Sequence, residues 1–86
     1  MRFLVYAAIQ PGADPTPYLA AEAARVQELI ADGTAEASYV RADRAGGYAV
    51  INTADLDAAQ AVMQTMPLAQ AELLELTFVE LVPPSP

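Results

Sequence analysis

Cysteine, histidine and lysine are all missing from the 86 residues, and the only cationic side chains are Arg2, Arg25, Arg41 and Arg44. Without cysteine no disulfide can brace the chain. Without cysteine or histidine, the ligands that transition-metal sites ordinarily use are absent too. The acidic residues are scattered, and no loop gathers them into an oxygen-ligand set. The lack of histidine also excludes Ser-His nucleophilic catalysis. The four arginines stand against 11 acidic residues, for a net charge of −7. That is the wrong sign for replacing the counterions around phosphates, so a nucleic-acid partner is excluded. Apolar runs are too short to span a bilayer, and no signal-type charged and apolar regions open the chain. Neither a membrane partner nor secretion is expected, and the protein is expected in the cytoplasm. The sequence contains no P-loop, dinucleotide fingerprint or nucleophile elbow, and the Gly46-Gly47 pair is too short to cradle a phosphate.

The length predicts one domain over residues 1–82, followed by a Pro-rich tail over 83–86. A domain of this size buries only about 60% of the surface its unfolded chain exposes, and commonly relies on disulfides, a metal or a second subunit. Composition removes the first two. Self-association is the expected remedy.

Arg2 to Ile9 is an unbroken apolar run rich in aromatic and β-branched residues, which predicts a buried strand closed by Gln10-Pro11-Gly12. Thr16-Pro17 predicts an N-cap and first helical residue. Leu19, Ala23, Val26, Leu29 and Ile30 then follow at helical spacing until Gly33. Ala35–Ala42 and Tyr48–Thr53 read as strands joined by the turn Asp43-Arg44-Ala45-Gly46-Gly47. Asp55 is a candidate N-cap for a second helix with an inner stripe of Leu56, Ala59, Met63 and Met66, which Pro67 stops. Glu72–Val82 is the last strand. The order β-α-β-β-α-β predicts an α+β, ferredoxin-like fold: a four-stranded antiparallel sheet with two helices on one face. Both alternating phases of the first and third strands are apolar, so both sheet faces want covering. Only one can be covered by the chain's own helices, and a sheet-to-sheet homodimer is the simplest cover for the other.

Gly33-Thr34, the Tyr48-Ala49-Val50 strand, and Met66-Pro67-Leu68 ahead of a final alternating strand resemble the muconolactone isomerase family, within the dimeric α+β barrel group. The likeness runs over nearly the whole chain. The stretch Ser38–Arg44 looks more like the family's stand-alone members than like the pathway enzyme. The resemblance implies a protein that uses no cofactor, holds its pocket between sheet and helices, and moves protons on a small molecule. It also implies a homodimer, which in the family's pathway enzyme belongs to a larger ring-like higher oligomer. The family's pathway enzyme shifts a double bond in a carboxylate-bearing lactone. The wider fold group also includes cofactor-independent monooxygenases and polyketide-modifying enzymes. With no histidine, this chain cannot run any imidazole-dependent version of such chemistry.

Glu22 is the candidate proton-transfer residue. On a helical wheel it falls inside the apolar stripe, between Leu29 and Val26, where a carboxylate facing a low-dielectric pocket acquires a raised pKa. As an ordinary surface residue it would instead pair with Arg25, three positions on. Arg25 and Tyr18 flank it, and Arg25 could hold a substrate carboxylate or lie solvated along the helix. Tyr39 and Arg41 share one strand phase and could polarise and bind a substrate oxygen if their face lines the pocket. Tyr6 is either a substrate-binding or a packing residue, and Tyr48 is read as packing in the core or dimer seam. Two function classes remain open on the sequence: a cofactor-independent acid–base enzyme acting on a small carboxylated or carbonyl-bearing compound, and a non-catalytic dimeric ligand-binding or accessory module. A tailoring cyclase or cofactor-free monooxygenase is a third.

Overall fold

A computed structural model describes residues 1–85 of the chain. Four strands, β1 (Arg2–Ile9), β2 (Ala35–Val40), β3 (Gly46–Asn52) and β4 (Leu74–Leu81), form one antiparallel sheet in the order β2-β3-β1-β4. The helices α1 (Leu19–Ala31), α2 (Leu56–Met63) and the short α3 (Pro67–Gln70) complete the ferredoxin-like α+β architecture that the order of elements predicts. Of the Pro-rich tail, Pro86 lies outside the described residues.

Local chemistry explains most of the boundaries. Asp55 caps α2 as expected, its Oδ1 accepting the Ala58 N–H at 2.8 Å. Thr16 does not cap α1. It begins a single 3₁₀ turn (Thr16–Tyr18), and it is Asp14 that accepts its N–H, at 3.0 Å. Nor does Pro67 simply end the second helix. Met66 is extended, and Pro67 starts α3, where its missing N–H costs nothing. Gly33, at φ +83°, supplies the left-handed step between α1 and β2.

The register of β1 with β3 and β4 sorts the sheet into two faces. Phe3, Val5 and Ala7 share a side with Ile51, Ala49, Gly47, Phe78 and Leu76. That side meets the helices in a core of Phe3, Val5, Leu29, Ile51, Ala59, Met63 and Met66, with Ile51 fully buried. Leu4, Tyr6, Val50, Tyr48 and Val79 occupy the other side, which no helix among the described residues covers. Val79 is 50% exposed and Tyr39 70%. Both faces are apolar, and one is bare.

Gly46 and Gly47 belong to β3 and not to the turn. A Cβ on Gly46 would collide with the Ala7 carbonyl oxygen across the ladder, so the first residue of β3 is held to glycine by backbone approach. Gly46→Ala is therefore expected to destabilise the fold by about 1–3 kcal/mol through overpacking. Chemical denaturation compared with the wild type measures it.

Candidate functional site

Small side chains in the sheet leave room under the helices. Ala7, Gly47 and Ala49 occupy helix-side positions of β1 and β3, and between them and α1 lies a cavity of about 490 Å³. This falls within the size range of ligand pockets, roughly 300–1,000 Å³. Its walls are mainly apolar: Val5, Ile9, Leu19, Val26, Leu29, Ile51, Met63, Met66, Leu68 and Leu74. Besides Tyr39 and Tyr48, the polar residues that border it stand in four places. Glu22 stands on α1, Thr16 in the turn before it, Ser38 on β2, and Arg44 in the β2–β3 hairpin. A smaller recess adjoins it between α1 and the edge strand β2, sharing Leu19, Glu22, Val26, Ser38 and Val40.

Glu22 is half-buried, and its Oε1 accepts the Leu68 backbone N–H at 2.9 Å. That bond ties α1 to the first turn of α3 and fixes the carboxylate in the cavity wall. Loss of water around the group raises its pKa above the ordinary glutamate value of 4.5, and the Leu68 N–H offsets only part of the rise. The second carboxylate oxygen has no protein partner among the described residues. A carboxylate that is oriented by one oxygen and left unpaired at the other, in surroundings that raise its pKa, is equipped to take or give a proton.

Arg25 does not pair with Glu22. Its Nε donates to Thr65 Oγ1 at 2.9 Å, and its NH1 lies 3.6 Å from Glu28 Oε1. Neither Arg25 nor Tyr18 lines the cavity. Arg41 and Tyr6 meet on the bare face, where Arg41 NH1 donates to the Tyr6 hydroxyl at 2.9 Å and the guanidinium sits 5.9 Å from the ring centroid. The Tyr6 ring stacks on Tyr48 at 4.7 Å. Arg41 also grips Asp43 with two nitrogens, at 3.1 and 2.6 Å. Those hydrogen bonds hold the Asp43 carboxyl below its ordinary range, helped by the Ala45 N–H, and push the guanidinium pKa further up.

Tyr39 pairs with Tyr48 in the β2–β3 ladder, which places its ring on the bare face, although the residue borders the cavity. The cause is a bulge. Ala35 opposes Ile51 on the helix side, but Ala37 already opposes Val50 on the far side, so Glu36 is the extra residue. The Glu36 carboxylate accepts from Arg2 at 2.8 Å and from Asn52 at 2.9 Å, two residues paired on the bare face. After the bulge, Ser38 and Val40 turn to the cavity while Tyr39 and Arg41 turn away. Ser38, Thr16 and Arg44 are thus cavity residues that strand alternation alone does not pick out.

No protein-family model matches the chain, and no curated protein matches it in sequence. Among solved structures it is similar to the 5-chloro-2-hydroxyhydroquinone dehydrochlorinase (TftG) from Burkholderia phenoliruptrix AC1100, in a complex with 2,5-dihydroxybenzoquinone. The two chains are 18% identical, with 95% of this chain and 94% of that chain covered and a TM-score of 0.81. The likeness establishes a shared fold over almost the full length of both.

Proposed function

We propose that the chain is a cofactor-independent, muconolactone isomerase-like enzyme of the cytoplasm, with residues 1–82 as its functional unit. It acts by acid–base chemistry on a small carbonyl- or carboxylate-bearing compound. The observation that carries this reading is Glu22: a carboxylate oriented by Leu68, its pKa raised by desolvation, in the wall of an apolar cavity large enough for a small molecule. The structural neighbour supports it by analogy, since an enzyme of the same fold is described with a small oxygenated ring compound.

The chemistry these groups fit is proton relocation next to a carbonyl. Glu22, in its carboxylate form, removes a proton from the carbon α to the carbonyl. The C–H electrons form a new C=C bond, and the carbonyl π electrons move onto oxygen. The same carboxyl then returns its proton to a different carbon of the conjugated system, and the C=O is restored. Ser38 lines the same cavity, and its hydroxyl supplies a neutral donor for the transient negative oxygen. The dry walls keep that intermediate from water. In this scheme Tyr39 and Arg41 belong to a second surface, the bare sheet face, which a second copy of the chain covers.

Proton exchange tests the proposal without knowledge of the natural substrate. A panel of small unsaturated ketones, lactones and their carboxylated relatives is incubated with the protein in D₂O, and loss of the α-proton signal is followed by NMR. Catalysed exchange on at least one compound is the expected result. Binding with no exchange on any of them marks the chain as a ligand-binding module and overturns the enzymatic reading.

A further inference from the structure

Of the four arginines, three are occupied. Arg2 pairs with Glu36 at 2.7 Å, Arg25 with Glu28 and Thr65, and Arg41 with Asp43 and Tyr6. The guanidinium of Arg44 has no hydrogen-bonded or ion-paired partner among the described residues, and it is the arginine that borders the cavity.

The hairpin that carries it is built stiffly. The Arg44 N–H donates to the Arg41 carbonyl at 2.9 Å, the Ala45 N–H to Asp43 Oδ1 at 3.0 Å, and the Ile9 N–H to the Ala45 carbonyl at 2.9 Å. Arg44 itself sits at φ +64°, a left-handed conformation that is unfavourable for a long side chain, although two glycines follow within three residues. A glycine at position 44 would relax the turn. The chain instead places there the one guanidinium left unengaged among the described residues, at the margin of an apolar cavity whose other charged group, Glu22, is negative.

We propose that Arg44 is the specificity-determining residue of this site: its guanidinium binds the carboxylate of a small molecule whose apolar body fills the cavity. The proposal rests on the reading of the cavity as the ligand site. Charge also sets the orientation. An anionic end is repelled by Glu22 on α1 and attracted to the hairpin, so the uncharged, reacting part of the molecule is left toward Glu22. A planar fork of donors suits a carboxylate held by two oxygens.

Two nearly isosteric probes separate the charge from the shape, cinnamate and cinnamamide, titrated into the full chain with chemical shifts read by ¹H–¹⁵N correlation. The wild type is expected to bind cinnamate about tenfold more tightly than cinnamamide, as for one exposed charge-assisted contact. Arg44→Gln should bring that ratio to about one by weakening cinnamate alone, with cinnamamide affinity and the rest of the spectrum unchanged. In the wild type, raising the ionic strength should shrink the preference, since the guanidinium is exposed. A preference that survives in Arg44→Gln, or is indifferent to salt, overturns the assignment. So does equal binding of both probes by the wild type, which leaves the cavity reading standing. Failure of both probes to perturb cavity residues such as Val26 and Leu29 overturns the cavity reading together with the assignment.

Discussion

Glu22→Gln should abolish proton exchange, with a loss of about 10²–10⁴-fold, while leaving the protein folded and no less stable than the wild type at neutral pH. The amide keeps an oxygen that can accept the Leu68 N–H, so the link from α1 to α3 survives. What it removes is the ionisable group that burial disfavours. The folded-state pKa of Glu22 is raised above its unfolded value, so the group's contribution to stability is fully present below the unfolded pKa. It is lost as pH rises through the folded one. In the wild type, this part of the stability therefore declines with rising pH from about the ordinary value of 4.5 upward, across the window opened by the shift. In the variant that decline is gone. Activity runs the opposite way, because the base form is the competent one: kcat/KM should rise with pH through the folded pKa. Stability curves and rate profiles on both proteins check all of this. A variant that loses stability and activity together would mean that Glu22 is a strut and not a base.

Leu4→Glu should split the proposed dimer while the single-chain fold remains. Leu4 is the centre of the bare face, flanked in the ladder by Val50 on β3 and Val79 on β4. Burying on the order of 500 Å² of apolar surface per chain there is worth roughly 12 kcal/mol. The cost of association is about 4–15 kcal/mol. A two-fold arrangement places the same residue on both sides of the seam, so one substitution buries two carboxylates at once. Each carries a desolvation penalty of several kcal/mol. Weakening by about a thousandfold or more follows. Analytical ultracentrifugation at micromolar concentration should show a wild-type dimer and a Leu4→Glu monomer. A wild-type monomer under those conditions would remove the dimer from the account.

The fold was legible because its signals are local and repeated. The apolar run of β1, the Asp55 cap, the glycine after α1 and the two apolar phases of the central strands each dictate a local choice, and the choices agree with one another. Glu22 was legible for a related reason: helical period alone puts it within an apolar stripe. The rest of the site was hidden by events that periodicity does not carry. One bulge at Glu36 reverses the phase of β2, sending Tyr39 and Arg41 to the bare face and Ser38 to the cavity. Pro67 reads as a stop yet starts a helix, and the Leu68 N–H of that helix is what orients Glu22. Arg25 was expected beside Glu22 because helix spacing allows it. It is drawn instead to Thr65, 40 residues away in sequence, a partner that only the tertiary fold supplies. Arg44 reads as one residue of the hairpin turn until the other three arginines are seen to be engaged.

The chemistry attributed to this cavity depends on one ionisation. Titrating the Glu22 side-chain carboxyl carbon by NMR, in protein labelled at glutamate, measures it directly. Glu22→Gln identifies the resonance. The account predicts a midpoint for Glu22 above the ordinary glutamate value of 4.5. A midpoint at or below 4.5 would mean that the carboxylate is well solvated or well paired, and Glu22 would have no claim to be the proton-transfer residue.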